Sequence, residues 1–441
     1  MNKKIVYWSI TVALAGFLFG FDTIVISGAD QALEALWQKG KLFHGTVIIA
    51  SALWGTVIGA IFGGIPTDKI GRKNTLILIG VLYVLSAIGS ALANDPWIFA
   101  LFRFIGGLGV GASTIAAPAY ISEIAPSAYR GRLVASYQFN IVFGILVAFY
   151  SNYLLSDIGE NAWRWMIGVE AIPAFIYFIM VLNVPKSPRW LVINKADEEG
   201  ARKILAINYP EEIISSKIQQ YKISIGEANQ PRESVFQKKW KKPLMLAFFI
   251  SFFNQFSGIN ALLYYAPRIF EAAGLESSSS FLSSIGLGVT NLIFTLVGLS
   301  LIDKMGRKQL LYIGSAGYII SLSMVAAAFY FNWGGVVIPI FLFLFIGAHA
   351  IGQGTVIWVF IAEIFPNHLR SSGQAFGVSI HWVLAAIIPS FIPSLFESIG
   401  PAPVFLFFAS MMVFQAVWVY LKVPETKGIP LEELEKQMIE G

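Results

Sequence analysis

Two kinds of residue in this chain can do chemistry inside apolar runs, namely lone charges and primary amides. The stretch GFLFGFDTIVISGA, residues 16–29, carries one charge, Asp22, and no other charge stands between Lys4 and Asp30. A carboxylate at bilayer depth costs at least about 2.5 kcal/mol on translocon scales, so one that is retained points to a partner or a task. Arg103 stands alone in a second such run. We read these two as the clear ionisable groups inside the apolar spans of the N-terminal half. At 1.5 Å per residue, Asp22 lies roughly 26 Å along a helix starting near Ile5, and Arg103 roughly 9 Å below the surface where a helix enters near Trp97. Opposite chain directions therefore bring acid and base to similar depth, and a buried ion pair is expected because an unpaired charge there costs more. Pairing favours the carboxylate and separation in a dry site favours the acid, so Asp22 is a candidate carrier of a coupled proton. The alternative is a permanent pair that only pins two helices together.

The second set is NQFSGINALLYY, residues 254–265, which puts Asn254, Gln255 and Asn260 into one apolar run with Gly258 between them. Primary amides donate and accept together, which suits neutral polyols, and Gly258 can loosen the helix where it lines a cavity. Interhelical glue is the plain alternative at about 0.6–2 kcal/mol per bond. Three amides beside Tyr264 and Tyr265 read instead as a site. Gln138, Asn291 and Gln353 add amides in other apolar runs, and Trp358 and Trp382 lie away from the expected interfacial belt. An indole stacks on the apolar face of a ring while its N–H donates, although core packing accounts equally well for either Trp alone.

Elements that position these groups follow from composition. Of 441 residues, 56% are hydrophobic and 13% charged, against about 25% charged in soluble domains. A span needs about 20 mostly apolar residues. That rule predicts an all-α membrane protein with twelve spans, at 5–29, 45–66, 74–94, 97–121, 133–155, 163–184, 243–267, 279–302, 309–331, 336–362, 372–395 and 401–421. The first run is too long for a signal-peptide core and lacks a small-residue cleavage site. The net charge of +5 resides in short loops, where it sets topology, so no nucleic acid partner is expected. With no cysteine, disulfides and thiolate chemistry are excluded, and His44, His349, His368 and His381 have no metal-ligand spacing. No phosphate-binding G-x-x-x-x-G-K-[ST] loop is present, and no cofactor is expected.

The chain repeats itself. DKIGRK at 68–73 recurs as DKMGRK at 303–308, and EIAPSAYR at 123–130 as EIFPNHLR at 363–370, at nearly the same offset. Parallel repeats with a midplane site between them are a transporter architecture. We therefore expect an N-terminal half over 1–185, a helical linker domain over 186–242, a C-terminal half over 243–422 and a tail over 423–441. ADEEGARKILAI (196–207) predicts an amphipathic helix in the linker, with Ala201, Ile204, Leu205 and Asn208 on neighbouring turns. Lys and Arg concentrate in the loops after even-numbered spans, in the linker and at the termini, which predicts that these face the cytoplasm. No outward loop carries an N-x-[ST] sequon, which favours a bacterial inner membrane. Asp68, Arg72, Glu123, Arg130, Asp303, Arg307, Glu363 and Arg370 are expected to form an ion-pair gate at that face, since carboxylates contribute little to the topology rule. Gly55, Gly59 and Gly63 in span 2, with Gly107 and Gly111 in span 4, predict close helix packing.

These stretches, with RFIGGLGVG (103–111), VPKSPRW (184–190) and VPETKG (423–428), resemble the sugar porter family of the major facilitator superfamily over nearly the whole chain. The resemblance implies a rocker-switch fold of two six-helix halves with the sugar between them. It also implies ligand contacts at Phe19, Gln138, Gln255, Asn260, Tyr264, Asn291, Trp358 and Trp382. Proton-coupled members have an acid at the position of Asp22 and an Arg at that of Arg103, while facilitative relatives tend to have Asn for the acid. Three positions depart from the family pattern. Asn254 stands where many members have Gln, His381 where an amide is usual, and Lys186 replaces Glu in P-E-S-P-R. Asn254, Gln353 and His381 join the candidate substrate contacts.

The expected function is secondary active import of a monosaccharide by proton symport through alternating access, by a monomer in the plasma membrane. A facilitative carrier, or one for inositol or another polyol, is the runner-up. A non-transporting sugar sensor would need a signalling segment that 423–441 is too short to supply. An enzyme would need a nucleophile–base pair or metal cluster that the sequence lacks.

Overall fold

The computed structural model describes residues 2–228, 233–366 and 368–440, and every element in them is helical. Twelve helical stretches are long and apolar enough to cross a membrane. They are Lys3–Trp37, Lys41–Phe62, Arg72–Leu92, Pro96–Ile124, Ser127–Leu155, Ala162–Leu182, Lys238–Tyr264, Ser277–Met305, Arg307–Tyr330, Val337–Glu363, Arg370–Ile399 and Pro401–Lys422, hereafter spans 1–12. The largest departure from the expected bounds is span 1, which runs to Trp37 rather than 29. Residues 29–37 read ADQALEALW, and these good helix formers continue the helix past its apolar stretch.

Four spans are broken rather than continuous. Span 2 turns at Ala50, between the π-helical His44–Ile49 and the helix Ser51–Phe62. Span 6 consists of Ala162–Gly168 and Ala171–Leu182, with Glu170 as the cap of the second piece. Pro173 accounts for the break, because it cannot donate to the carbonyl of Val169 one turn earlier. Span 7 stops at Phe256 and resumes at Ile259, and Gly258 between them sits at φ 84°, a conformation open to glycine at little cost. Span 10 breaks at Gly352, between Val337–Ile351 and Gln353–Glu363.

The linker folds into three short helices, Pro188–Lys195, Glu198–Leu205 and Glu211–Ala228. Trp190, Leu191, Ala201, Leu205, Ile214 and Ile218 form its apolar core. Ser187 and Asp197 cap the first two helices by accepting from Trp190 N and Gly200 N.

Contacts divide the chain into two compact units. The smaller comprises Met1–Thr23, Trp54–Ile145 and Ile167–Arg232; the larger comprises Ile24–Leu53, Leu146–Met166 and Glu233–Gly441. In the smaller unit, a Cβ on Gly55 would meet Phe104 O at 2.2 Å, and one on Gly111 would meet Thr56 O at 2.3 Å. Spans 2 and 4 therefore touch backbone to backbone, the approach that small residues permit in a bilayer. In the larger unit, the ends of spans 1, 2 and 5 pack with helices of the C-terminal repeat.

Candidate functional site

Within the smaller unit, Asp22 and Arg103 meet. Arg103 Nη1 donates to Asp22 Oδ1 at 2.5 Å and Nη2 to the Asp22 carbonyl at 2.8 Å, with both residues only 1% exposed. One donor reaches the carboxylate and a second the main-chain carbonyl of the same residue, so the guanidinium is held to residue 22 at two points. A third charge corrects the reading of two lone ionisable groups. Glu170, at the break of span 6, is 0% exposed and interacts electrostatically with both Asp22 and Arg103. Neither Glu170 oxygen, nor Asp22 Oδ2, makes a hydrogen bond of normal geometry to protein. The signal was present in sequence: eight residues past Ala162, Glu170 lies roughly 12 Å into its span, near the depth of Arg103. Arg103 is bonded to Asp22, and Glu170 adds a second buried carboxyl in electrostatic contact with both; the three groups together are electrically neutral when they hold one proton.

In the larger unit, the amides of span 7 assemble. Asn260 Nδ2 donates to Gln255 Oε1 at 2.8 Å, and Gln255 Nε2 donates to Asn254 Oδ1 at 3.0 Å and faces His381 Nδ1 at 3.2 Å. Gln255 thus uses all of its amide hydrogens and its oxygen on three neighbours, while only 1% exposed. His381 packs edge-on to Trp358 at 4.9 Å between centroids and to Trp382 at 5.2 Å. The span 7 break supports this cluster. Ser257 Oγ donates to the Asn254 carbonyl at 2.6 Å, and Tyr264 is buried on the segment that follows. Trp358 also lines an open cavity of about 490 Å³ with Val359, Ala362, Glu363 and Arg370. That cavity reaches one of the two indoles beside His381, while the span 7 amides lie outside its lining.

Asn291 is buried and accepts from Thr295 Oγ1 at 3.4 Å, one turn along span 8. Gln353, at the span 10 break, is 0% exposed with both amide ends lacking a protein partner. Phe19 and the half-buried Gln138 belong to the smaller unit.

Ion pairs of the repeated loops close within each half. Arg72 Nη2 lies 3.0 Å from Glu123 Oε1 and its Nη1 3.1 Å from Asp68 Oδ1. Arg307 grips Glu363 with two nitrogens, at 2.7 and 3.0 Å, and stands 3.7 Å from Asp303. Arg130 is exposed with no ion pair among the described residues, and Arg370 Nε donates to the Ala362 carbonyl at 2.9 Å. Glu425, from the VPETKG stretch, adds a contact the sequence did not announce. Its oxygens accept from Arg307 N at 2.9 Å and Lys308 N at 3.0 Å, where span 9 begins. Burial pushes its carboxyl up, but the backbone N–H groups of Lys427, Arg307, Lys308 and Thr426 outweigh burial and hold it below the usual carboxylate range.

The profile described as "Sugar (and other) transporter" matches residues 8–438. The chain is 34% identical to the arabinose-proton symporter of Bacillus subtilis, over 98% of this chain and 94% of that one. It is 32% identical to the D-xylose-proton symporter of Escherichia coli, over 97% and 94% respectively. Among solved structures, the partially occluded inward open conformation of the xylose transporter XylE from E. coli superimposes with a TM-score of 0.86 at 31% identity. That match covers 97% of this chain and all of that one. A match of this extent settles the fold as the twelve-span major facilitator architecture. The chain belongs to the sugar porter family of the major facilitator superfamily, whose members are integral membrane transporters and not enzymes.

Proposed function

We propose that this chain imports a monosaccharide by proton symport through alternating access, with Asp22 as the proton carrier. The observation that carries this reading is the buried Asp22–Arg103 ion pair, with a second buried carboxyl, Glu170, in electrostatic contact with both. When Asp22 takes a proton, Glu170 can ionise as the counter-ion of Arg103, which avoids the several kcal/mol of an uncompensated buried charge. Asp22 can then cycle between acid and carboxylate without dismantling the half that holds it. The sugar contacts are Phe19, Gln138, Asn254, Gln255, Asn260, Tyr264, Asn291, Gln353, Trp358, His381 and Trp382. Amides and indoles serve a neutral polyol, and they leave the charged core to the proton.

Symporters for arabinose and for xylose stand at similar identity to this chain, so the substrate class is an aldose, pentose or hexose. His381, set on Gln255 and between two indoles, is the position that sets which one. In proteoliposomes with an acid exterior, at least one aldose of a panel of hexoses, pentoses and inositols is expected to accumulate against its gradient. Equal equilibration of every sugar at all proton gradients would reduce the protein to a facilitative carrier.

We place the termini and the linker in the cytoplasm of a bacterial cell, with the carrier working as a monomer. The asymmetry of Lys and Arg supports the orientation. The chain has no cysteine, so Ser215→Cys, in the linker, gives a clean probe. It is expected to react with an impermeant maleimide only after cells are permeabilised, and labelling in sealed cells would reverse the topology.

A further inference from the structure

At the end of span 1, the larger unit contains a second charged cluster that the transport reading does not use. Asp30 on span 1 is 1% exposed, yet both of its oxygens are held by other elements. His44 Nε2, near the start of span 2, donates to Oδ1 at 2.7 Å. Arg268 Nε, on the helix Ala266–Ala272 that follows span 7, donates to Oδ2 at 2.7 Å. Arg268 Nη2 also binds Glu34, one turn beyond Asp30, and Glu34 binds Lys41 of span 2. Gln31 Nε2 donates to Glu271 Oε2 at 2.7 Å on the same helix as Arg268. Beneath these groups the backbone is in contact as well. A Cβ on Gly45 would meet Ser390 O at 2.0 Å, and Tyr265 OH donates to the Pro389 carbonyl at 2.8 Å.

The ion pairs of the repeated loops join elements of one half. This cluster instead joins spans 1 and 2 to the helix after span 7, across the repeat. We infer that Asp30, Glu34, His44 and Arg268 form an ion-pair clasp that holds the mouth opposite the termini shut, and that its rupture is a step of the transport cycle. The inference rests on the alternating-access reading above. Asp30 is suited to the role because its two oxygens are satisfied from two different elements. Parting either one strips the carboxylate of half its partners, so the clasp favours two discrete states over gradual opening. Glu34 and Lys41 lie at the rim and add screened contacts that weigh less.

Spin labels at Lys39→Cys and Ser278→Cys, both exposed positions in this cysteine-free chain, report the span across the clasp. With the clasp intact, the pair is expected to give one narrow distance without sugar. Asp30→Asn and Arg268→Gln are each expected to add a population at least about 5 Å longer, the scale of a one-turn displacement. Arg268→Lys, which keeps the charge but loses the two-pronged grip, is expected to open less than Arg268→Gln. If Asp30→Asn does not fold, Glu34→Gln removes a rim carboxylate from Arg268 while Asp30 stays paired, and it is expected to shift the population in the same direction. An unchanged distance in folded Arg268→Gln overturns the clasp. The readout needs no sugar, gradient or known orientation. A lengthened distance in a protein that accumulates no sugar would therefore leave the clasp standing and remove the transport reading. An unchanged distance in a protein that does accumulate sugar would remove the clasp alone.

Discussion

Asp22→Asn is expected to abolish uphill accumulation in proteoliposomes while leaving sugar counterflow in place. One proton moving down 100 mV supplies about 2.3 kcal/mol, enough for a roughly 50-fold sugar gradient under tight coupling. The variant should lower that ceiling to unity, because Asn cannot carry a proton. Folding should survive. The amide keeps the shape of the carboxylate, still accepts from Arg103 Nη1, and leaves the Arg103 bond to the residue 22 carbonyl untouched. With the Asp22 charge gone, Glu170, in electrostatic contact with Arg103, can ionise as its counter-ion, so the charge is not stranded at the several kcal/mol an unpaired buried ion costs. Counterflow needs binding and reorientation but no net proton movement, so it separates coupling from mere damage. Accumulation that persists in Asp22→Asn would make Asp22 a pin between spans 1 and 4 and would move the proton to another group.

The Asp22–Arg103 pair was legible in sequence because a charge in an apolar run must find a partner, and depth counting limits which one. Glu170 obeyed the same arithmetic yet stood close to Arg164 and to a loop, where an acid reads as interfacial. Pro173, which breaks the helix beside it, was the missed cue. Gly258 announced the span 7 break through its setting among amides. Gly352 gave no comparable sign, since one more glycine in an apolar helix is common in membranes. Amide identities were readable, but their mutual bonding was not, because Gln255 and His381 lie 126 positions apart. Asp30 and Glu34 were invisible as functional residues for a different reason. An apolar-length rule ends span 1 at 29, so acids beyond it count as loop charges. The helix in fact continues to Trp37 and carries them into contact with Arg268.

Gln255→Ala is expected to have the largest effect of any substitution on sugar binding, with Asn260→Ala next. Gln255 is the node of the amide chain. Its removal leaves Asn254 Oδ1 without a donor, Asn260 Nδ2 without an acceptor, and His381 without its amide neighbour. Each buried group left unsatisfied costs about 1–3 kcal/mol, and every 1.4 kcal/mol is a factor of about ten in affinity. Loss of one sugar hydroxyl contact together with the disordering of two neighbouring amides therefore predicts at least about a hundredfold weaker binding. Asn260→Ala strands one acceptor, Gln255 Oε1, and predicts roughly tenfold. Gln255→Glu offers a sharper comparison, since it keeps the acceptor for Asn260 but replaces two donors by an acceptor facing Asn254 Oδ1. If Gln255 works through its donors, that variant binds as poorly as the alanine. Calorimetry on folded protein in detergent, with the aldose that accumulates in the transport panel, measures all three. Near-normal affinity in Gln255→Ala and Asn260→Ala would reduce the amides of span 7 to packing between helices. The ordering Gln255→Ala below Asn260→Ala below the unaltered chain identifies the donor–acceptor chain itself as the element that reads the sugar.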